Sequence, residues 1–152
     1  MRDNPDRNVL TASHSSELAE RWGRKTRNLI ASHGGDLGVT LSEDSAAAYR
    51  WATTEGGEYL PVGVGIAGFR ADLGIIDDPF GSWKDAESRR IRDRVWDWYS
   101  DDFSTRLKPG SKRVIMYTRW YDDDLAGRII RQLDAIRRPY RSMRSQGTSW
   151  RV

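Results

Sequence analysis

The chain has 152 residues, a length that suits one ordinary domain. Its 38% hydrophobic content and its 7 Trp, 6 Tyr and 3 Phe exclude a disordered chain, because disorder goes with few aromatic residues. With 0 Cys, disulfides, Cys-ligated zinc and thiol catalysis are excluded, and 2 His are too few for a His-rich metal site. No apolar run approaches the ~20 residues that cross a bilayer, and the N-terminus lacks the apolar core of a signal peptide. We therefore expect a soluble, cytoplasmic protein of mixed α/β structure.

The net charge of +3 is unevenly distributed along the chain. Residues 128–152 contain seven Arg and one acidic residue, a net charge of +6, so the other 127 residues sum to −3. Such an end could bind nucleic acid through phosphate contacts, which need charge and not sequence. Charge runs are also common in solvated chain ends, and we favour that interpretation here.

The first half of the chain predicts one helix between short strands. The helix has Ser15 or Ser16 as its N-cap and Gly34-Gly35 as its stop. A later segment, Glu55-Gly56-Gly57, is typical of a hairpin turn between two strands. The predicted elements are a strand over 7–12, the helix over 17–32, and strands over 48–54 and 58–64.

The second half alternates apolar strands with helices. Residues 71–76 are a short apolar run suited to a buried parallel strand. Residues 85–107 predict one long helix or two joined helices, which Lys108-Pro109-Gly110 ends. Residues 112–118 predict another strand, and Asp122-Asp123-Asp124 caps a helix that runs through Leu133. This alternation predicts an α/β layer with a parallel sheet.

Two adjacent carboxylates, Asp77-Asp78, end the apolar strand over 71–76. Neighbouring side chains at a strand end diverge, so one carboxylate can hold a hard cation while the other faces a reacting water. Ligand sites in open α/β sheets lie beyond the carboxyl ends of the strands, where this pair lies. The arrangement is that of a Walker B strand, but Asp-Asp-Pro is equally good turn chemistry.

Polar groups also follow the strand over 112–118, in Tyr117-Thr118-Arg119-Trp120. A hydroxyl there could sense a γ-phosphate, and a guanidinium could bind phosphate or carboxylate in bidentate fashion. The ordinary alternative is a strand end with a capping pair.

A glycine-rich segment, Gly63 to Gly68, fits the dinucleotide fingerprint G-x-G-x-x-G. A strand and not a helix is predicted after it, so a pyrophosphate would have no helix N-terminus to bind. Phe69-Arg70 stand where a P-loop needs Lys and Ser or Thr. We therefore predict a flexible loop and discard a nicotinamide oxidoreductase.

The motifs taken together resemble the ATPase domain of tailed-phage terminase large subunits, over roughly residues 4–133. These proteins are DNA-packaging motors with an N-terminal P-loop ATPase and a C-terminal metal-dependent nuclease. The segments that carry the resemblance are Gly68-Phe69-Arg70-Ala71-Asp72-Leu73, Ile75-Ile76-Asp77-Asp78-Pro79, Asp85-Ala86-Glu87-Ser88, Trp96-Asp97-Trp98-Tyr99, Thr105-Arg106-Leu107-Lys108-Pro109-Gly110, Thr118-Arg119-Trp120 and Asp123-Asp124-Leu125-Ala126-Gly127-Arg128.

The resemblance implies roles for four residues. Asp77 would be the Walker B ligand of Mg²⁺, and Asp78 the adjacent catalytic carboxylate that orients or activates the attacking water and shares the metal site. Thr118 would couple the state of the γ-phosphate to motion, and Arg119 accompanies it. The implied cofactors are Mg²⁺ and ATP. The implied partners are double-stranded DNA, the small terminase subunit and the portal, in the cytoplasm of a host bacterium that carries the phage or prophage.

The chain also departs from the family pattern. No G-x-x-x-x-G-K-[ST] occurs, so no residue is assigned to the P-loop, and 152 residues leave no room for a nuclease domain. The resemblance thus implies a partial P-loop NTPase-type three-layer sandwich with a mostly parallel sheet that lacks the P-loop strand. This partial domain is predicted to cover residues 1–133, and a disordered Arg-rich tail is predicted over residues 134–152. We expect a truncated terminase remnant, inactive alone as an ATPase or hydrolase, or alternatively a non-catalytic fragment that binds DNA or a packaging partner.

Overall fold

The structure, a computed structural model, describes residues 4–47, 49–62 and 68–145. Six strands and four α-helices follow one another, with a π-helical turn (Trp98–Phe103) and a 3₁₀ turn (Ser104–Arg106) before the last strand. The elements are β1 (Val9–Ser13), α1 (Ser16–Leu37), β2 (Leu41–Ala46), β3 (Trp51–Thr53), β4 (Glu58–Val62), β5 (Ala71–Asp77), α2 (Trp83–Glu87), α3 (Arg89–Asp97), β6 (Leu107–Met116) and α4 (Leu125–Ser145). Within the described part of the chain, no helix is both long and apolar enough to cross a membrane.

The six strands form one mixed sheet in the order β2-β3-β4-β1-β5-β6. Strands β4, β1, β5 and β6 run parallel, whereas β2, β3 and β4 are joined antiparallel at the other side. The predicted hairpin is confirmed, with Trp51 opposite Tyr59. The α/β class is therefore confirmed, and the parallel part of the sheet is the part that carries the predicted site.

Helices cover both faces of the sheet, and each face has its own core. Helix α1 covers one face, where Ile30 of the helix packs with Val9, Trp51 and Tyr59 of the strands. On the opposite face the helical segments between residues 83 and 106 and the start of α4 bury an apolar cluster, which includes Leu10, Ala12, Ile76, Phe80, Ala86, Tyr99, Phe103 and Leu125. Because successive strand residues point to opposite faces, β1 and β5 contribute to both cores. This is why their sequences read as continuous apolar runs.

Helix α1 is kinked at the predicted stop, because His33, directly before Gly34-Gly35, has non-helical φ and ψ of −132° and 18°. The helix continues past Gly34-Gly35 to Leu37 and ends at Gly38, whose φ of 63° is the left-handed conformation typical of a helix C-cap. Gly34 serves close approach instead, because a Cβ there would lie 2.6 Å from the carbonyl oxygen of Val39. The predicted N-cap is confirmed, since the Ser15 side chain accepts a hydrogen bond from the backbone N–H of Leu18.

Three other elements differ from the prediction. Strand β2 was not predicted, and the helical segment over 83–106 is broken at Ser88, whose ψ of 111° is extended. Strand β6 begins at Leu107, five residues early, because the segment around Gly110 forms a bulge between two stretches paired with β5. Gly110 permits this bulge through its φ of 78°.

Helix α4 extends across residue 133. Helix α4 continues to Ser145, whereas the sequence predicted a disordered tail from residue 134. Half of the residues over 134–145, four Arg with Ala135 and Met143, are strong helix formers, which favours the continued helix. The glycine-rich segment over 63–67, Ala48 at the start of the predicted hairpin and residues 146–152 lie outside the described residues.

Candidate functional site

Asp78 lies where three parallel strands end. Its backbone N–H donates to the carbonyl of Met116 at the end of β6, at 2.9 Å. Its carbonyl accepts two hydrogen bonds from His14, which follows β1: one from the backbone N–H at 3.0 Å and one from ring Nδ1 at 3.0 Å. Asp78 therefore joins the ends of β1, β5 and β6, and its own carboxylate remains exposed.

Asp78 adopts a φ of 46°, the one positive φ among the described non-glycine residues. A left-handed backbone is uncommon for a non-glycine residue, although Asp adopts it more readily than most. Here the hydrogen bonds to Met116 and His14 hold it. Strain of this kind clusters at functional sites, which supports the predicted role of the strand end.

The Asp77 side chain lies on the face of the sheet that α1 covers. Alternation along β5 places it on the face of Leu73 and Ile75, the face that α1 covers. Burial and the neighbouring Asp78 carboxylate raise the pKa of Asp77, while the indole of Trp22 on α1, a hydrogen-bond donor, and His14 lower it. Burial is the largest of these causes. A cation bound beside the Asp77 carboxylate would therefore offset the cost of removing its charge from water.

A cavity of about 830 Å³ lies on the other face of the same strand ends. Apolar side chains such as Ile76, Phe80 and Trp98 line it together with His14. Asp77 and Asp78 are not part of this lining. The predicted carboxylates thus lie beside this cavity and not in it.

Thr118 and Arg119 follow β6 at the same edge of the sheet. Thr118 is exposed. Arg119 donates from Nε to both carboxylate oxygens of Asp124, at 3.0 and 3.3 Å, and from Nη2 to the carbonyl of Asp122 at 3.2 Å. Asp124 raises the pKa of Arg119. The Arg119 guanidinium, for which the sequence allowed phosphate or carboxylate, is therefore held by a carboxylate of its own loop.

Tyr117 completes the support of this loop. Its hydroxyl accepts a hydrogen bond from the backbone N–H of Ala126 at 2.8 Å, in the first turn of α4. Burial is the largest cause that raises the pKa of Tyr117, and the Asp124 carboxylate raises it further. The hydroxyl therefore stays protonated at physiological pH and can act as donor and acceptor at once.

Replacing Tyr117 with phenylalanine should lower the free energy of unfolding by about 1 kcal/mol, because the N–H of Ala126 loses its acceptor. Urea unfolding of the purified variant measures this. Tyr49→Phe is the control, since Tyr49 is 45% exposed and should change stability by less than about 0.5 kcal/mol. Equal effects of the two substitutions would contradict a structural role for the Tyr117 hydroxyl.

An ion-pair network joins α3 to α4 beside this loop, and the sequence did not indicate it. Arg128 contacts Asp93 at 2.6 Å and Asp123 at 2.8 Å, and Arg131 also donates to Asp123. These hydrogen bonds and charges lower the pKa of Asp123. Buried Arg92 lies 3.7 Å from the same carboxylate. The first two arginines of the Arg-rich end are therefore bound within the fold.

The structure places Asp77, Asp78, Thr118 and Arg119 at one edge of the sheet. It adds His14, Ser13 and Trp22 as neighbours of the carboxylate pair. Their only signal in the sequence is that Ser13-His14 directly follows a predicted strand. Nowhere among residues 4–47, 49–62 and 68–145 do three or more metal-ligating side chains come together. A Mg²⁺ ion bound with a nucleotide needs only one or two protein carboxylates, because phosphates and waters supply the other ligands.

These features define an α/β domain with two adjacent carboxylates, Asp77 and Asp78, at the carboxyl edge of its parallel strands. No protein family model matches the chain. No curated protein matches it either. A solved structure that resembles it is the large terminase of bacteriophage HK97, with a TM-score of 0.48 and 16% sequence identity. The match covers 88% of this chain and 26% of that protein, so the chain spans about a quarter of its length.

Proposed function

We propose that this chain carries the carboxylate half of a terminase-type ATPase site, which serves the packaging of viral DNA in a phage or prophage. The observation that carries the proposal is the Asp77-Asp78 pair at the end of β5, with the strained backbone of Asp78 held by both neighbouring strands. Adjacent carboxylates that point apart are what a nucleotide site needs for a cation and a water.

Each residue has a distinct task in this proposal. Asp77 holds Mg²⁺, which neutralises developing charge on the phosphates when it is bound. Asp78 orients the attacking water, accepts its proton as the oxygen bonds to the γ-phosphorus, and ADP leaves with the β–γ bridging oxygen. Thr118 senses the γ-phosphate. Arg119 must exchange Asp124 for phosphate, or remain a support of the loop that carries Thr118.

The edge of the sheet beside this site is available for another strand. Strand β6 is last in the sheet order, and no strand of the described residues pairs with its outer edge. On the α1 face, Val114 and Met116 are 41% and 52% exposed beside Ile75 and Asp77. A phosphate-binding strand could therefore pair with the outer edge of β6, and the helix that follows it could cover Val114 and Met116. The sequence contains no P-loop, so we expect no turnover from this chain by itself.

Asp77→Asn should abolish the response of the chain to Mg²⁺ and a non-hydrolysable ATP analogue. Ligand at ~100 times its dissociation constant stabilises a protein by about 2.7 kcal/mol, which thermal unfolding detects as a raised Tm. We expect this rise in the wild type and in the control Asp44→Asn, whose carboxylate is exposed on β2. An unchanged rise in Asp77→Asn, or no rise in the wild type, would refute the proposed site.

We expect Asp77→Asn to remain folded, so that loss of its response reports on ligand binding. The pKa of Asp77 is raised in the folded state, so the ionised carboxyl opposes folding above that pKa and its protonation favours folding as the pH falls through it. Asparagine is uncharged at every pH. At neutral pH the variant should be at least as stable as the wild type.

The second candidate is a non-catalytic module that binds DNA or a packaging partner, such as a small terminase subunit or a portal. One observation favours a protein partner: Ile130, Leu133 and Ile136 of α4 are 50%, 48% and 67% exposed along the helix. Arg128 and Arg131 are already paired with carboxylates, which leaves fewer arginines for phosphate. A linear fall of log DNA affinity with log salt, removed by deleting residues 134–152, would favour DNA.

A further inference from the structure

Ser13 lies beside Asp77 at the end of the neighbouring strand. The two residues are register partners in the parallel pair β1–β5, so their side chains leave the sheet on the same face. The Ser13 hydroxyl oxygen is buried and has no hydrogen-bond partner among the described residues. A polar group in that state lacks both water and a protein partner, which native structures rarely tolerate without a reason.

We propose that the Ser13 hydroxyl is a second oxygen ligand, beside the Asp77 carboxylate, for a hard divalent cation such as Mg²⁺. The inference rests on the proposed function, because it adds a ligand to the same site. A cation with ligands at 2.0–2.1 Å places neighbouring oxygens about 3 Å apart and opposite ones about 4 Å apart. Side chains of register partners on adjacent strands, whose backbones are about 4.8 Å apart, can span this range.

The donor set suits this chemistry. A hydroxyl and a carboxylate are hard oxygen ligands, which select Mg²⁺ or Mn²⁺ over softer metals. The hydroxyl can reach the ion by rotation about one side-chain bond, which has three staggered positions. Asp77 is only half-buried, and Trp22, which hydrogen-bonds to its carboxylate, is 41% exposed, so the carboxylate is not sealed from solvent. An ion can therefore enter from the α1 side.

Mn²⁺ titration of the purified chain, followed by electron paramagnetic resonance, tests the inference without any need for turnover. We expect Ser13→Ala to weaken Mn²⁺ binding about tenfold, the loss that follows from removing one ligand or its support. Ser13→Thr keeps the hydroxyl on a residue that favours strands and should bind within twofold of the wild type. Asp77→Asn should remove binding at this site.

Ser104→Ala is the matched control. Its hydroxyl is likewise buried without a described partner, but it lies in the 3₁₀ turn before β6, away from Asp77. Both alanine variants remove a buried hydroxyl that has no described partner. A thermal melt of each variant measures any change in stability separately from the change in Mn²⁺ affinity. We expect wild-type Mn²⁺ affinity from Ser104→Ala.

The outcomes separate the inference from the proposed function. Wild-type Mn²⁺ affinity in Ser13→Ala, with binding lost in Asp77→Asn, would overturn the role of Ser13 and leave the proposed function standing. Equal weakening by Ser13→Ala and Ser104→Ala would also overturn it. Mn²⁺ binding that depends on Ser13 and Asp77, without any effect of ATP analogue, would support the ligand and refute the ATPase site. Absence of saturable Mn²⁺ binding in the wild type would overturn both.

Discussion

Trp51→Ala should lower the free energy of unfolding by about 3–5 kcal/mol, the range for removing a large aromatic side chain from a packed core. Trp51 is 0% exposed and is among the largest fully buried side chains of the described residues. Its ring stacks on Tyr59, with centroids 4.9 Å apart and planes within 3°. Its indole N–H donates to the carbonyl of Gly23 on α1 at 3.2 Å.

The cost of this substitution comes from three losses at once. The cavity left by the indole cannot collapse easily, because Gly23 already brings α1 close: a Cβ there would lie 2.6 Å from the backbone oxygen of Tyr49. Tyr59 loses its stacking partner, and the Gly23 carbonyl loses its donor. Trp51 therefore contributes directly to the packing between the hairpin β3–β4 and helix α1.

Urea unfolding monitored by far-UV circular dichroism measures the effect. Trp83→Ala is the control, since the Trp83 side chain on α2 is 54% exposed and should contribute less than about 1 kcal/mol. A change below about 1 kcal/mol for Trp51→Ala would contradict the packing between α1 and the hairpin. Trp51→Phe should fall between the two, because it keeps an aromatic ring but not the N–H donor.

The strands that carry the candidate site were predictable because their chemistry is local. An apolar run that stops at two aspartates is visible in the sequence, and the parallel core makes both faces of β5 apolar. The hairpin was predictable for the same reason, since Gly56, whose φ is 90°, is a turn residue between two apolar segments.

The features that the sequence did not indicate depend on register and on distant pairs. Strand β2 reads Leu-Ser-Glu-Asp-Ser-Ala, which has no apolar alternation and becomes a strand only because β3 offers an edge to pair with. The adjacency of Ser13 and Asp77 requires the register of two strands that are 64 residues apart. The contact of Arg128 with Asp93 spans 35 residues and reflects how α3 and α4 cross. Periodicity carries no information about such pairs.

Asp124→Ala should lower the free energy of unfolding by about 2–3 kcal/mol, because α4 loses its N-cap and the charge-assisted hydrogen bond to Arg119 is lost. Asp124 is 0% exposed. Its carboxylate accepts hydrogen bonds from Nε of Arg119 and from the backbone N–H of Gly127 at 2.9 Å. The second bond makes Asp124 the N-cap of α4, so alanine removes the cap as well as the ion pair.

Asp124→Asn separates these two contributions. The amide oxygen still accepts from Gly127 and caps the helix, but the charge that holds Arg119 is gone, so we expect a smaller loss than for alanine. Asp122→Ala is the control, because Asp122 is exposed and contacts Arg119 through its backbone carbonyl, which alanine keeps. Urea unfolding should show the largest loss of stability for Asp124→Ala, a smaller loss for Asp124→Asn and the smallest for Asp122→Ala.

The same substitution distinguishes two roles for Arg119. If Asp124 only fixes the loop after β6, Asp124→Asn lowers stability and leaves the Mg²⁺- and nucleotide-dependent rise in Tm unchanged. If Arg119 leaves Asp124 to bind phosphate, removing the competing carboxylate charge frees the guanidinium, and the rise in Tm becomes larger at the same ligand concentration. The second result would place Arg119 in the phosphate site. The first would make it a residue that positions Thr118, because the bond to Asp124 would then hold in both states.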